Sequence, residues 1–210
     1  MMKFKSRYAG VFILIIIILG VSFVTGCGSS DDSVITPTSS GSKLLQIEGG
    51  LPDELSTAPA LGVPEYAVNY NNGKYLVAAV NKDDYNEEIG TVTITGKTFR
   101  ATLAITAVSK YAVLIIREKT SNKILYQNLL GKTPVLSEMP TGVDSFTLKG
   151  VSINSETTAR ALLAIEKNVV PNLPIVTVSE LARGAAKDVT GQKSQFDLAV
   201  ETAVGGAAVV

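Results

Sequence analysis

The residues able to do chemistry are few, and their spacing argues mostly against catalysis. The 210-residue chain has no histidine and one cysteine, Cys27. Without histidine there is no Ser-His-Asp or Cys-His machinery, and the common zinc sites lose their usual nitrogen ligand. The serine elbow G-x-S-x-G is absent. Glu54, Glu65, Asp144 and Glu156 are carboxylates that could pair in space, but their spacing predicts no such meeting. Gly96-Lys97-Thr98 and Gly131-Lys132-Thr133 imitate the end of a phosphate-binding loop. That loop needs a glycine five residues before its last one, where Thr91 and Tyr126 stand instead. Both are expected to be turn residues. The stretch NKDDYNEEIG gathers Asp83, Asp84, Asn86, Glu87 and Glu88, whose oxygens suit calcium in type. A calcium loop starting at Asp84 would want glycine where Ile89 stands and glutamate where Thr95 stands. A solvated acidic hairpin or loop is the expectation. Tyr66, Tyr70, Tyr75, Tyr85, Tyr111 and Tyr126 lie in or near strand-like runs. Such a row could stack on sugars, but strand tyrosines more often fill sheet edges and core margins. The expectation is therefore no enzyme, no cofactor and no metal site.

Cys27 has more specific surroundings. Lys3, Lys5 and Arg7 precede an apolar run from Ala9 to Val24, and no acidic residue occurs before the cysteine. A basic start, an apolar run and a small-residue boundary are the parts of a signal peptide. A membrane span needs about 20 apolar residues; this run is shorter and has no basic flank after it. Val24-Thr25-Gly26-Cys27 resembles the lipobox of bacterial lipoprotein precursors, with valine where leucine is usual. The resemblance covers residues 1–27. It implies cleavage before Cys27, diacylglycerol on its sulfur and often a third acyl chain on the freed amine. One chain anchors a protein only marginally, whereas two or three hold it durably. Gly28 stands where an aspartate tends to retain Gram-negative lipoproteins at the inner membrane. The resemblance thus implies the outer membrane in a Gram-negative cell, with the domain on the periplasmic or surface face.

Loss of residues 1–26 removes three of 19 basic residues and none of 19 acidic ones, a formal charge near −3. Nucleic-acid binders usually carry a basic patch or stripe, so no nucleic-acid partner is expected. The expected partners are the membrane, through lipid on Cys27, and another envelope protein or a glycan. Residues 27–42 read as a flexible linker, since GSSDDSVITPTSSGS is rich in Ser, Gly, Thr and Asp.

The elements behind these residues change character along the chain. From 43 to 150 the periodicity is mostly two. Tyr66–Tyr70 and Lys74–Val80 flank Asn71-Asn72-Gly73, a hairpin signal. In TVTITGKTFRATLAI, Phe99, Ala101, Leu103 and Ile105 share one side and Arg100, Thr102 and Thr106 the other, after a turn at Gly96-Lys97. YAVLIIRE and KILYQNLL flank a polar break, and another strand is expected around Ser145–Leu148. Short strands without intervening helices predict a mainly β, antiparallel sandwich over 43–150, Ig-like or transthyretin-like. Residues 151–210 predict helices beside or on it. The first has Ala159, Leu162 and Leu163 at helical spacing, Ala161, Ala164 and Ile165 as further apolar surface, and Asn154 or Ser155 as cap; it is expected to pack against a sheet. Thr177 and Glu180 have capping-box spacing. Ser194 is placed to cap a third helix, with Phe196, Ala199 and Ala203 on one side.

Overall fold

A computed structural model of the chain describes residues 42–53, 69–192 and 195–207. The expected signal peptide, Cys27, the linker up to residue 41, Glu54, Glu65, Tyr66 and Ser194 lie outside the described residues.

The domain is a mainly β sandwich with C-terminal helices. Among the described residues nine strands form two sheets: β1 (Leu44–Gly50), β2 (Tyr75–Asn81), β3 (Asp84–Glu88), β4 (Gly90–Thr95), β5 (Thr98–Ala104), β6 (Tyr111–Glu118), β7 (Ile124–Lys132), β8 (Ser145–Ser152) and β9 (Lys187–Asp188). One sheet has the order β4-β5-β1-β8-β9, the other β3-β2-β6-β7. The four-stranded sheet is antiparallel throughout. The five-stranded sheet departs from the antiparallel expectation, because β8 runs parallel to both β1 and β9. The described C-terminal residues add α1 (Ser155–Glu166), α2 (Val178–Arg183) and α3 (Gln195–Ala207), with β9 between α2 and α3.

Alternation positions the core. On β5 Phe99, Ala101 and Leu103 are buried while Arg100 is exposed, and the hairpin to β4 turns at Gly96, whose φ is +61°. Leu45, Ile47, Val77, Ala79, Leu114 and Phe146 join this set between the sheets. β6 breaks the alternation, for Tyr111 to Ile116 are all buried. Its inner residues Ala112, Leu114 and Ile116 face the other sheet. Its outer residues Tyr111, Val113 and Ile115 lie under Ala161 and Ala164 of α1 and Phe196 and Val200 of α3. The molecule is therefore layered as sheet, sheet, helices. The helical region also reaches the inner core, through Val176 and Leu181.

Two local expectations are corrected. Asn71-Asn72-Gly73 is not a hairpin turn. Tyr70–Asn72 form a single 3-10 turn capped by Asn69, and Gly73 closes it at φ +75°. The neighbours of β2 are β3 and β6. The buried face of α1 keeps the expected alanines but not the larger apolar residues. Leu162 is 55% exposed and Ile165 44%, while Ala161 and Ala164 are buried. The inward face begins with two threonines whose hydroxyls bond the backbone of β7: Thr158 Oγ1 accepts from Gln127 N–H at 2.9 Å, and Thr157 Oγ1 donates to the Gln127 carbonyl at 3.1 Å. Small and hydroxyl side chains let the helix approach the strand backbone; leucine in their place would hold it off.

The two capping expectations that fall on described residues hold. Asn154 Oδ1 accepts from Thr157 N–H at 2.9 Å, so Asn154 rather than Ser155 caps α1. Thr177 and Glu180 form the expected reciprocal box on α2, with Glu180 Oε2 accepting from Thr177 N–H at 2.9 Å.

Candidate functional site

A concavity opens between the two sheets, where β7 of one lies beside β8 of the other. It has a volume of about 480 Å3. Leu129 and Leu130 of β7, Leu148 and Val151 of β8, Ile175, Val189 and Phe196 give it apolar walls. α1 and α3 close it with charge. Arg160 pairs with Glu156 at 2.6 Å, Asp197 at 3.1 Å and Glu201 at 3.5 Å. Partial burial pulls the guanidinium pKa down, but these carboxylates outweigh it and hold it above the ordinary arginine value. On the opposite wall Lys187 is paired with Glu180. Burial pushes the Glu180 carboxyl up, yet hydrogen bonds from Lys187 and Thr177 prevail and hold it below the usual glutamate range. Every cation of the cleft thus has a carboxylate within the fold. Apolar walls with a few fixed polar groups are the usual make-up of a small-ligand site.

The cleft was not legible in the sequence. Its residues come from β7, β8, β9, three helices and the loops between them, so no short motif carries it. Its nearest sequence signal was the Thr177–Glu180 box, which fixes the start of α2.

The residues singled out by sequence lie elsewhere or serve packing. The acidic stretch forms a hairpin, with Lys82-Asp83 as its turn and Asn81 opposite Asp84. Glu87 is paired with Lys110 and accepts from Asn81 Nδ2 at 2.7 Å; these bonds hold its carboxyl below the usual range. Among the described residues no group of three His, Cys, Asp or Glu side chains converges as a metal site would require. Asp144 and Glu156 lie beyond opposite ends of β8, on the order of 20 Å apart at roughly 3.3 Å per residue. Gly96-Lys97-Thr98 is a hairpin tip. Gly131-Lys132 is no turn but the end of β7, where Gly131 at φ +125° lets the Leu173 carbonyl approach.

The described tyrosines do not form an exposed row. Tyr70, Tyr111 and Tyr126 are buried. Tyr70 and Tyr111 donate to the carbonyls of Pro52 and Pro171, and burial pushes both phenols up. Tyr85 is half-buried and donates to Gln127 Oε1 at 3.0 Å. Their rings fill core margins.

Among the described residues no helix is long and apolar enough to cross a membrane. No family model, curated protein or solved structure matches the chain.

Proposed function

We propose that the chain is a non-enzymatic, lipid-anchored cell-envelope protein that presents its sandwich domain to other envelope components. The observation that carries this reading is the sequence of basic start, apolar run and Val24-Thr25-Gly26-Cys27. In this account residues 1–26 are removed, Cys27 carries the acyl chains, and residues 28–42 tether the domain. The tether reaches at most about 50 Å from the lipid surface, at roughly 3.5 Å per residue. Support for a role in contact rather than catalysis comes from the paired charges around the cleft and the absence of histidine.

A second reading, an envelope-exposed binding module for glycan, peptide or metal, gains from one observation: the cleft between β7 and β8. Its glycan form loses the tyrosine row, since three of those rings are buried. Incorporation of labelled fatty acid into the full chain expressed in a bacterial host tests the anchor. Label is expected on the membrane-bound protein and is absent from Cys27→Ser, which keeps the apolar run Ala9 to Val24 and with it a hold on the membrane. Equal labelling of the two, or label on neither, would overturn the anchor.

A further inference from the structure

The free edge of β7 is already occupied at two places. Gln127 gives its outward N–H and C=O to the hydroxyls of Thr158 and Thr157. Lys132 gives its own to the backbone of Leu173 and Ile175, at 2.8 and 2.9 Å, in a short parallel bridge. In an antiparallel pair, residues alternate between bonding the neighbour and pointing both polar groups away from it. Gln127 points away from β6, so Asn128 points toward it and Leu129 away again. The register shift before Gly131 returns Lys132 to the outward set. Leu129 therefore turns its N–H and C=O toward the cleft, and no described residue takes either.

From this geometry we infer that the cleft binds one extended residue of an uncharged, apolar peptide segment. Its N–H and C=O pair with the C=O and N–H of Leu129. Directly opposed residues share a face of the sheet, so its side chain enters on the side of Leu129's own, beside Phe196. The chemistry of the occupant follows from the walls. Lys187 and Arg160 are already paired within the fold, so a charged ligand group would have to displace Glu180 or Asp197. Added strand pairing is a known mode of peptide recognition, with main-chain bonds giving affinity and a side-chain pocket giving selectivity. Here the threonines on one side and Leu173 on the other stop a longer strand, so the paired stretch is one residue. The volume lies within the range of about 300–1,000 Å3 typical of small-ligand sites. The inference rests on the binding-module reading and is independent of the lipid on Cys27.

The test uses the full chain in detergent, labelled with 15N-leucine, and capped single residues as probes: the N-acetyl methylamides of alanine, leucine and phenylalanine. The expected result is a saturable shift of the Leu129 amide at millimolar probe, strongest for one of the two larger side chains. An N-methylated leucine probe, which lacks the donor, loses most of that effect. Val189→Trp, which fills the cleft wall, abolishes it in a protein that melts as the parent does. If that variant fails to fold, the N-methyl comparison decides alone. Saturable shifts confined to residues outside the cleft would overturn the site and leave the binding-module reading standing. No saturable shift with any probe would overturn the site and the peptide form of the binding-module reading, leaving its glycan and metal forms standing. An equal response to the N-methylated probe would overturn the backbone pairing.

Discussion

Thr158 closes the edge of a β-sheet with a side chain: its hydroxyl accepts the hydrogen bond of the Gln127 N–H at 2.9 Å, where the next strand would otherwise sit. Gln127 is buried, so that N–H has no recourse to water if the hydroxyl is removed. Thr158→Val keeps the shape and leaves the donor unpaired, a loss of about 1–3 kcal/mol. Thr158→Ser keeps the hydroxyl and loses less. Denaturant midpoints of the two variants check this, and equal losses would contradict the role given to the hydroxyl.

Gly49 and Gly50 offer a sharper contrast in one strand. A Cβ on Gly49 would overlap the Val151 carbonyl oxygen across the parallel β1–β8 pair, whereas one on Gly50 meets nothing within 4 Å. Gly49→Ala must push the strands apart, at a cost of about 1–3 kcal/mol or more, the usual range for overpacking. Gly50→Ala is close to neutral. Thermal unfolding of the pair measures the difference, and similar melting temperatures would contradict so close an approach.

Glu180 makes part of the stability pH-dependent. Its carboxyl is held below the usual glutamate range in the fold, burial being outweighed by Lys187 and Thr177. A depressed acid contributes stability that is fully present above its unfolded pKa, about 4.3. That contribution is lost as pH falls through the folded value. Glu180→Gln is therefore less stable than the parent at neutral pH, and the gap narrows as the pH drops below about 4. Unfolding curves across that window check the sign. A gap independent of pH would mean that the charge of Glu180 is not what holds the start of α2.

Thr177→Ala removes the other half of the same box, whose hydroxyl accepts from Glu180 N–H at 3.3 Å. A lost N-cap typically costs about 1 kcal/mol. Because Leu181 of α2 is buried in the core between the sheets, the loss is expected in the global unfolding transition. A separate early transition of α2 would contradict that coupling.

The parts of the fold governed by nearest neighbours were legible. Phe99, Ala101 and Leu103 announce β5 by alternation, and Asn154 and the Thr177–Glu180 pair announce helix starts, because capping is decided within four residues. The parallel pairing of Leu45 with Phe146 was not legible, since nothing local to β1 or β8 specifies it. The face of α1 misled for a related reason. Leu162 and Ile165 look like core residues at helical spacing, but the helix docks on a strand edge, where Thr157 and Thr158 make the contact. The cleft was beyond reach altogether, because Leu129, Val151, Arg160 and Lys187 meet only after both sheets and the helices are assembled.

The anchor is the central claim, and the intact mass of the protein in the membrane fraction tests it most directly. The full precursor and Cys27→Ser are expressed side by side in a bacterial host. The account predicts a chain beginning at Cys27 that carries added diacylglycerol or triacyl mass, absent from the variant. An unmodified chain, or one that keeps residues 1–26, would contradict it.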